Sequence, residues 1–269
     1  LFSLITVGYS ANALGGAGGP LAVLIIAIVA AEMGKAVSKE TKVDILVTPL
    51  VTIFAGVGLS MLIAAPIGAA ASQVGTLIMW ATEQAPLVMG ILVSVIVGVA
   101  LTLPISSAAI CAALGLTGLA GGAAVAGCCA QMVGFAVMSY KENGVGGLVS
   151  QGLGTSMLQM GNIIKNPRIW IAPTLASAIT GPLATCLFHF EMNGAAVSSG
   201  MGTCGLVGQI GVYTGWVSDI AAGTKAAITP MDWAAMVLLC FVLPAVLSVI
   251  FCEIERKLGW IKEGDLKLN

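Results

Sequence analysis

Apolar runs long enough to cross a bilayer dominate this sequence. Pro20–Ala36, Ile45–Ala65, Leu87–Leu103, Gly121–Tyr140, Ile169–Phe188 and Trp233–Cys252 follow one another, each bounded by proline, glycine or charge. A hydrocarbon core takes roughly 20 helical residues to span, and every backbone polar group inside it must be satisfied locally. Strands of a membrane barrel would alternate polar and apolar residues, which these runs do not. Only 9% of the residues are charged, whereas a soluble domain carries roughly 25% and needs them for its surface. The expectation is an all-α polytopic membrane protein of about seven or more transmembrane helices. One membrane domain covers 1–255 and a short basic tail covers 256–269. The net charge of −1 and the lack of a basic stripe argue against a nucleic-acid partner. Leu1–Tyr9 reads as the end of a longer apolar segment, so a truncated N-terminus is expected rather than a signal peptide.

Ser106–Leu119 is short for a span and rich in small residues. Basic residues cluster at Lys35, Lys39 and Lys42, at Lys141, Lys165 and Arg168, and at Arg256, Lys257, Lys262 and Lys267. The positive-inside rule puts these clusters and the C-terminus on the cytoplasmic side. Threading the spans then requires Ser106–Leu119 to cross and Asn193–Gly215 not to. Ala65–Gly75, Gly144–Asn162 and Asn193–Gly211 carry too much Gly, Ser and Gln for helix facing lipid. Irregular backbone at membrane depth is tolerated where it is buried in protein or lines a cavity. Paired interrupted segments entering from opposite sides mark a central site in transporters. Re-entrant or broken helices are therefore expected, Gly144–Asn162 entering from the cytoplasm and Asn193–Gly211 from outside. Close packing of small residues is the alternative, but it does not call for Gln73, Gln151, Gln159 and Gln209.

The candidate site centres on Glu191, in Phe188-His189-Phe190-Glu191-Met192-Asn193-Gly194. An ionisable group in hydrocarbon costs ~2.5–3.5 kcal/mol on insertion scales, so it needs a partner or a polar cavity. A carboxylate can accept hydrogen bonds from solute hydroxyls, or bind a proton or cation. His189, the single histidine, can donate, accept or titrate. On a helix, residues two apart face different ways, so the two share a site only if the helix breaks; Asn193-Gly194 offers such a break. Asn193 and Gln209 are expected as polar helpers, with Gln159 and Asn162 facing them across the cavity. The alternative for Glu191 is an interface residue at the outer end of its span, and for His189 a packed helix-end residue. In Asn166-Pro167-Arg168-Ile169-Trp170, Arg168 and Trp170 read as interfacial anchors, with partner docking by Arg168, Lys165 and Lys141 as the functional alternative. Pro173 and Pro182 should kink the span that follows. The glycine-rich Asn12–Pro20 lacks the ending of a phosphate loop. The seven cysteines lie in apolar segments without metal-ligand spacing and read as packing residues. No catalytic set, metal ligand set or cofactor motif can be assembled.

Pro66-Ile67-Gly68, Leu103-Pro104-Ile105-Ser106-Ser107, Lys165-Asn166-Pro167-Arg168 and Phe190-Glu191-Met192-Asn193-Gly194-Ala195-Ala196, in that order, make the chain resemble the membrane-embedded IIC components of the bacterial sugar phosphotransferase system. Within them it is most similar to the perfringolysin-regulator type. The resemblance implies a homodimer in the bacterial plasma membrane, a IIC-type transporter fold with two re-entrant hairpins, and elevator-like motion of a substrate domain. It also implies transport of a sugar or polyol, with Glu191 at the position of the family's sugar-binding carboxylate. His189-Phe190 stands where relatives carry Ile-Thr. Without a Cys-Pro-x-x-x-Arg-like loop, phosphotransfer would be left to separate cytoplasmic IIA and IIB proteins. Alternatives are a sensor or regulator with a transporter fold, and a proton- or cation-coupled transporter.

Overall fold

The computed structural model describes residues 19–38 and 44–268. Leu1–Tyr9, Asn12–Gly18, Lys39 and Lys42 fall outside the described residues. The chain divides into two compact units, one made of the chain up to Thr76 with Ala112–Leu114, the other of Leu77–Cys111 and Gly115–Asn269. Every described element is helical, apart from one isolated bridge between Gly118 and Met192.

The first unit holds helix α1 (Gly19–Val37) and most of α2 (Asp44–Gln84). Ala22, Ile26 and Ala30, spaced four apart on one face of α1, form a buried cluster with Ala64 of α2. Phe54, Met61 and Leu62 stay more than two-thirds exposed, an outer surface suited to lipid. Helix α2 corrects one expectation. Ala65–Gly75 does not break: the helix runs on through Pro66 to Gln84, and Gln73 is exposed on it. The composition misled because Gly and Ser there are outweighed by alanine, the strongest helix former.

The second unit is a bundle of α3 (Pro86–Thr102), α5 (Gly118–Met138), α8 (Ile171–Pro182) and α11 (Leu243–Lys257); α4 (Ser107–Leu114) belongs to it up to Cys111, its last three residues falling in the first unit. Small residues bring the axes close. A Cβ on Gly98 would come within 2.7 Å of the Gly127 carbonyl oxygen, and one on Gly90 within 3.2 Å of the Gly181 carbonyl oxygen. Ser94 Oγ donates to the Ser177 carbonyl at 2.7 Å across the α3–α8 contact. This is how helices associate where lipid removes the hydrophobic drive between them. Buried Gln131 ties three elements together: its Oε1 accepts from Trp170 Nε1 (2.9 Å) and Thr102 Oγ1 (3.3 Å), and its Nε2 donates to Thr174 Oγ1 (3.2 Å). Trp170, expected as an interfacial anchor, thus spends its indole N–H inside the bundle.

Among the described residues, four stretches are long and apolar enough to cross a membrane: Asp44–Gln84, Gly118–Met138, Pro167–Leu187 and Pro230–Lys257. Pro86–Thr102 is apolar but shorter. Helix α4 has eight residues, about 12 Å at the helical rise, and does not span by itself. The Gly144–Asn162 stretch is broken as its composition suggested. Helix α6 (Tyr140–Val149) bends at Gly144 (φ 58°), and a π turn (Ser150–Gly154) and a 3₁₀ turn (Ser156–Gln159) lead into α7 (Met160–Lys165). Asn193–Leu206 is likewise irregular, with 3₁₀ turns at Ala196–Gly200 and Cys204–Leu206 before α9 (Val207–Ala221).

Candidate functional site

The segment carrying Glu191 is made non-helical by its neighbours. Pro182 lacks an N–H, and the helix relaxes into a π turn over Leu183–Leu187 before stopping. The break falls at His189, whose φ of 43° is left-handed, a conformation that costs a side-chain-bearing residue roughly 1–2 kcal/mol. It therefore precedes Glu191, ahead of the Asn193-Gly194 position where the sequence suggested it. Phe190 N then donates to the Ala184 carbonyl at 2.8 Å, while Met192 and Gly118 exchange two backbone hydrogen bonds of 3.0 Å.

Glycines on both sides admit this extended segment. Gly122 of α5 lies directly under the Phe190 carbonyl, and a Cβ on Gly215 of α9 would come within 2.8 Å of the Asn193 and Gly194 nitrogens. Extended backbone sends alternate side chains to opposite sides. Phe190 and Met192 go inward, into a cluster with Val125, Val212 and Trp216. His189, Glu191 and Asn193 line a cavity of about 560 Å³, which Phe188 and Phe190 also border.

The opposite wall comes from α9, the loop after it and α10 (Pro230–Val237), through Trp216, Asp219, Thr224, Lys225, Met231 and Asp232. Asn193 Nδ2 bridges two carboxylates, donating to Glu191 Oε2 at 3.0 Å and Asp219 Oδ2 at 2.9 Å. Lys225 Nζ is paired with Asp232 Oδ1 at 2.7 Å and sits 5.5 Å above the Trp216 ring. Asp232 Oδ2 also accepts from Thr229 N and Oγ1, closing a capping box that starts α10. Trp216 meets Trp233 edge to face at 5.6 Å, and Trp233 lies 5.8 Å from Tyr213. Among the described residues, neither Glu191 nor Asp219 has an ion-pair partner. Two carboxylates can accept hydrogen bonds, an amide can donate or accept, and Lys225 can donate, which is the inventory needed to hold several hydroxyls.

The remaining sequence candidates lie elsewhere. Gln209, in the first turn of α9, is buried and donates to Cys129 Sγ at 3.3 Å. Gln159 and Asn162 are buried in a separate amide network with Gln151 and do not line this cavity. Lys141 pairs with Glu253 at 2.8 Å, and the Arg168 guanidinium lies 5.6 Å from the centre of the Trp260 ring. Lys165 lines a second cavity of about 480 Å³ with Asn162, Asn166, Asp265 and Lys267. Asp219, Lys225, Asp232 and Trp216 were not singled out from the sequence. The available signal was three charges beside tryptophans in a chain with few charges.

The family model described as phosphotransferase system, EIIC, matches residues 3–268, and the chain belongs to that family. It is a multi-pass membrane protein of the transport machinery that family represents. No curated protein and no solved structure matches the chain.

Proposed function

We propose that this member of the phosphotransferase-system EIIC family carries a small hydroxylated solute, a sugar or polyol, across the bacterial plasma membrane. The observation that carries the reading is the 560 Å³ cavity, in which His189, Glu191 and Asn193 project from one clamped extended segment toward Asp219 and Lys225. Solute hydroxyls donate to Glu191 and Asp219, whose charge strengthens each bond. Asn193 holds the two carboxylates in register, and the Trp216–Lys225 side closes over the apolar face of the solute. The two interrupted stretches flank regular helices, a construction that suits elevator-type alternating access. The protein works as a homodimer with its C-terminus in the cytoplasm, and separate IIA and IIB proteins supply any phosphoryl group. Gln209, Gln159 and Asn162 support the frame, outside direct reach of the solute.

The test is a thermal-shift screen of the purified protein against sugars, polyols, sugar acids and nucleosides, with Glu191→Gln alongside. A ligand at ~100 Kd stabilises by about 2.7 kcal/mol. A sugar or polyol whose stabilisation vanishes in Glu191→Gln is the expected result. Equal stabilisation of both proteins would remove Glu191 from the site, and a silent panel would favour a sensor or regulator over a permease.

A further inference from the structure

The end of the chain, read from sequence as a short basic tail, is folded back. Arg256 Nη2 pairs with Glu142 Oε1 at 3.0 Å, with both side chains largely buried. Gly259 (φ 71°) and Gly264 (φ 92°) then turn the backbone. Leu266 is fully buried and Ile261 nearly so, in a cluster with Phe135, Met138, Ile163, Ile169, Ala172 and Cys252.

Most of the polar contacts are of one kind, side-chain amides of the 143–166 stretch gripping backbone groups of the tail. In addition, Asn166 Nδ2 donates to Asp265 Oδ2 at 2.9 Å and Glu142 Oε1 accepts from Gly264 N at 3.4 Å. Asn166 Nδ2 donates to the Trp260 carbonyl at 2.9 Å and Gln159 Nε2 to the Leu266 carbonyl at 2.9 Å. Asn162 Nδ2 donates to the Lys267 carbonyl at 2.9 Å. Asn143 makes a matched pair, giving Nδ2 to the Leu266 carbonyl and accepting from Leu268 N, both at 2.8 Å. Behind this row, Gln159 Nε2 donates to Gln151 Oε1 (2.9 Å), and Gln151 Nε2 to Ser139 Oγ (2.7 Å) where α5 ends. The tail's grip therefore continues into the interrupted segment.

We propose that the 140–166 segment forms a peptide-binding groove whose resident ligand is the chain's own Gly259–Leu268. Amide-to-backbone bonds hold a peptide whatever its side chains. This one is held in a turned conformation, with its own Asp265 N–Lys262 O and Lys267 N–Gly264 O bonds, and the buried sites of Ile261 and Leu266 supply the selectivity. Occupied, the groove fixes the interrupted segment to the end of α11 and places Trp260 against Arg168. Emptied, it takes the tail carbonyls from Gln159 and Asn162 and both tail bonds from Asn143, and buried polar groups that lose partners are costly. The segment cannot move independently of α11 until the peptide leaves. Its release is a control point separate from the solute cavity, and it stands whatever that cavity carries.

The test uses the full chain in lipid nanodiscs. Leu266→Asp puts a charge into the apolar socket and should empty the groove, whereas Leu266→Met should not. A fluorescent synthetic peptide of Gly259–Leu268 is titrated by anisotropy. It should bind Leu266→Asp at least tenfold more tightly than wild type or Leu266→Met, and the same peptide carrying Leu266→Asp should not bind. Equal binding to all three proteins, or to none, would overturn the groove. The unmodified protein supplies the second measurement: tryptic cleavage after Lys262 should be at least tenfold slower than in the free peptide. Cleavage at the same rate refutes the proposal even if Leu266→Asp does not fold.

Discussion

Replacing Gly122 by alanine tests how the candidate site is built. The added Cβ would sit on the Phe190 carbonyl, only 2.7 Å from its carbon, and α5 is buried all round at that level. Helix α5 therefore cannot yield, and the extended segment must lift. Overpacking a tight site costs typically 1–3 kcal/mol. Lifting the segment also stretches the two Gly118–Met192 hydrogen bonds, worth about 0.5–1.5 kcal/mol each. Alanine returns about 1 kcal/mol through its helix propensity. The net expectation is a loss of roughly 3 kcal/mol, or about 6–12 °C in Tm at 2–4 °C per kcal/mol for a chain of this size. The control is Gly161→Ala, in α7 of the same unit, where a Cβ meets nothing within 4 Å. It should leave Tm level or slightly raised. Differential scanning fluorimetry in one detergent reads both. Should Gly122→Ala melt with Gly161→Ala, the segment is not clamped against α5 and the account of the site fails.

Two further substitutions separate frame from site. Asn193→Ala removes the donor bridging Glu191 and Asp219 at a half-exposed position, so it should shift Tm little while abolishing the solute-induced stabilisation; a retained solute shift would count against Asn193 as the organiser. Gln131→Leu leaves Thr102 with Ser156 and Thr174 with the Trp170 carbonyl, so the orphan is the Trp170 indole. The loss should be about 1–3 kcal/mol, and melting of Gln131→Leu level with the unmodified protein would refute this.

The helical membrane architecture was legible because apolar run length is a local property. A break in the helix near His189 and Glu191 was legible as well: residues two apart share a site only off a helix, and the backbone does leave the helix at His189. Asp219 was harder to see. Its link to Asn193 crosses 26 positions, and nothing in periodicity records it. Gln159 and Asn162 show a deeper limit. Their amides looked spare for a solute, but their partners are backbone carbonyls at Leu266 and Lys267. A carbonyl is present at every residue, so it leaves no mark in a sequence. At Ala65–Gly75 composition was read as conformation, although Ala-rich helix tolerates such residues and an internal proline within a long span.

The inset of Phe190–Met192 between α5 and α9 bears on how such a protein acquires a new diet. Its backbone is held by hydrogen bonds to Gly118 and Ala184 and by bare glycine faces, none of which reads the side chains at 189, 191 or 193. Positions 191 and 193 behave as a cassette, free to exchange residues while the frame stays put, whereas 189 is confined to residues that tolerate left-handed backbone. Lineages could drift between cargoes through changes at a few codons, and a protein engineer could randomise 191 and 193 without retuning the bundle.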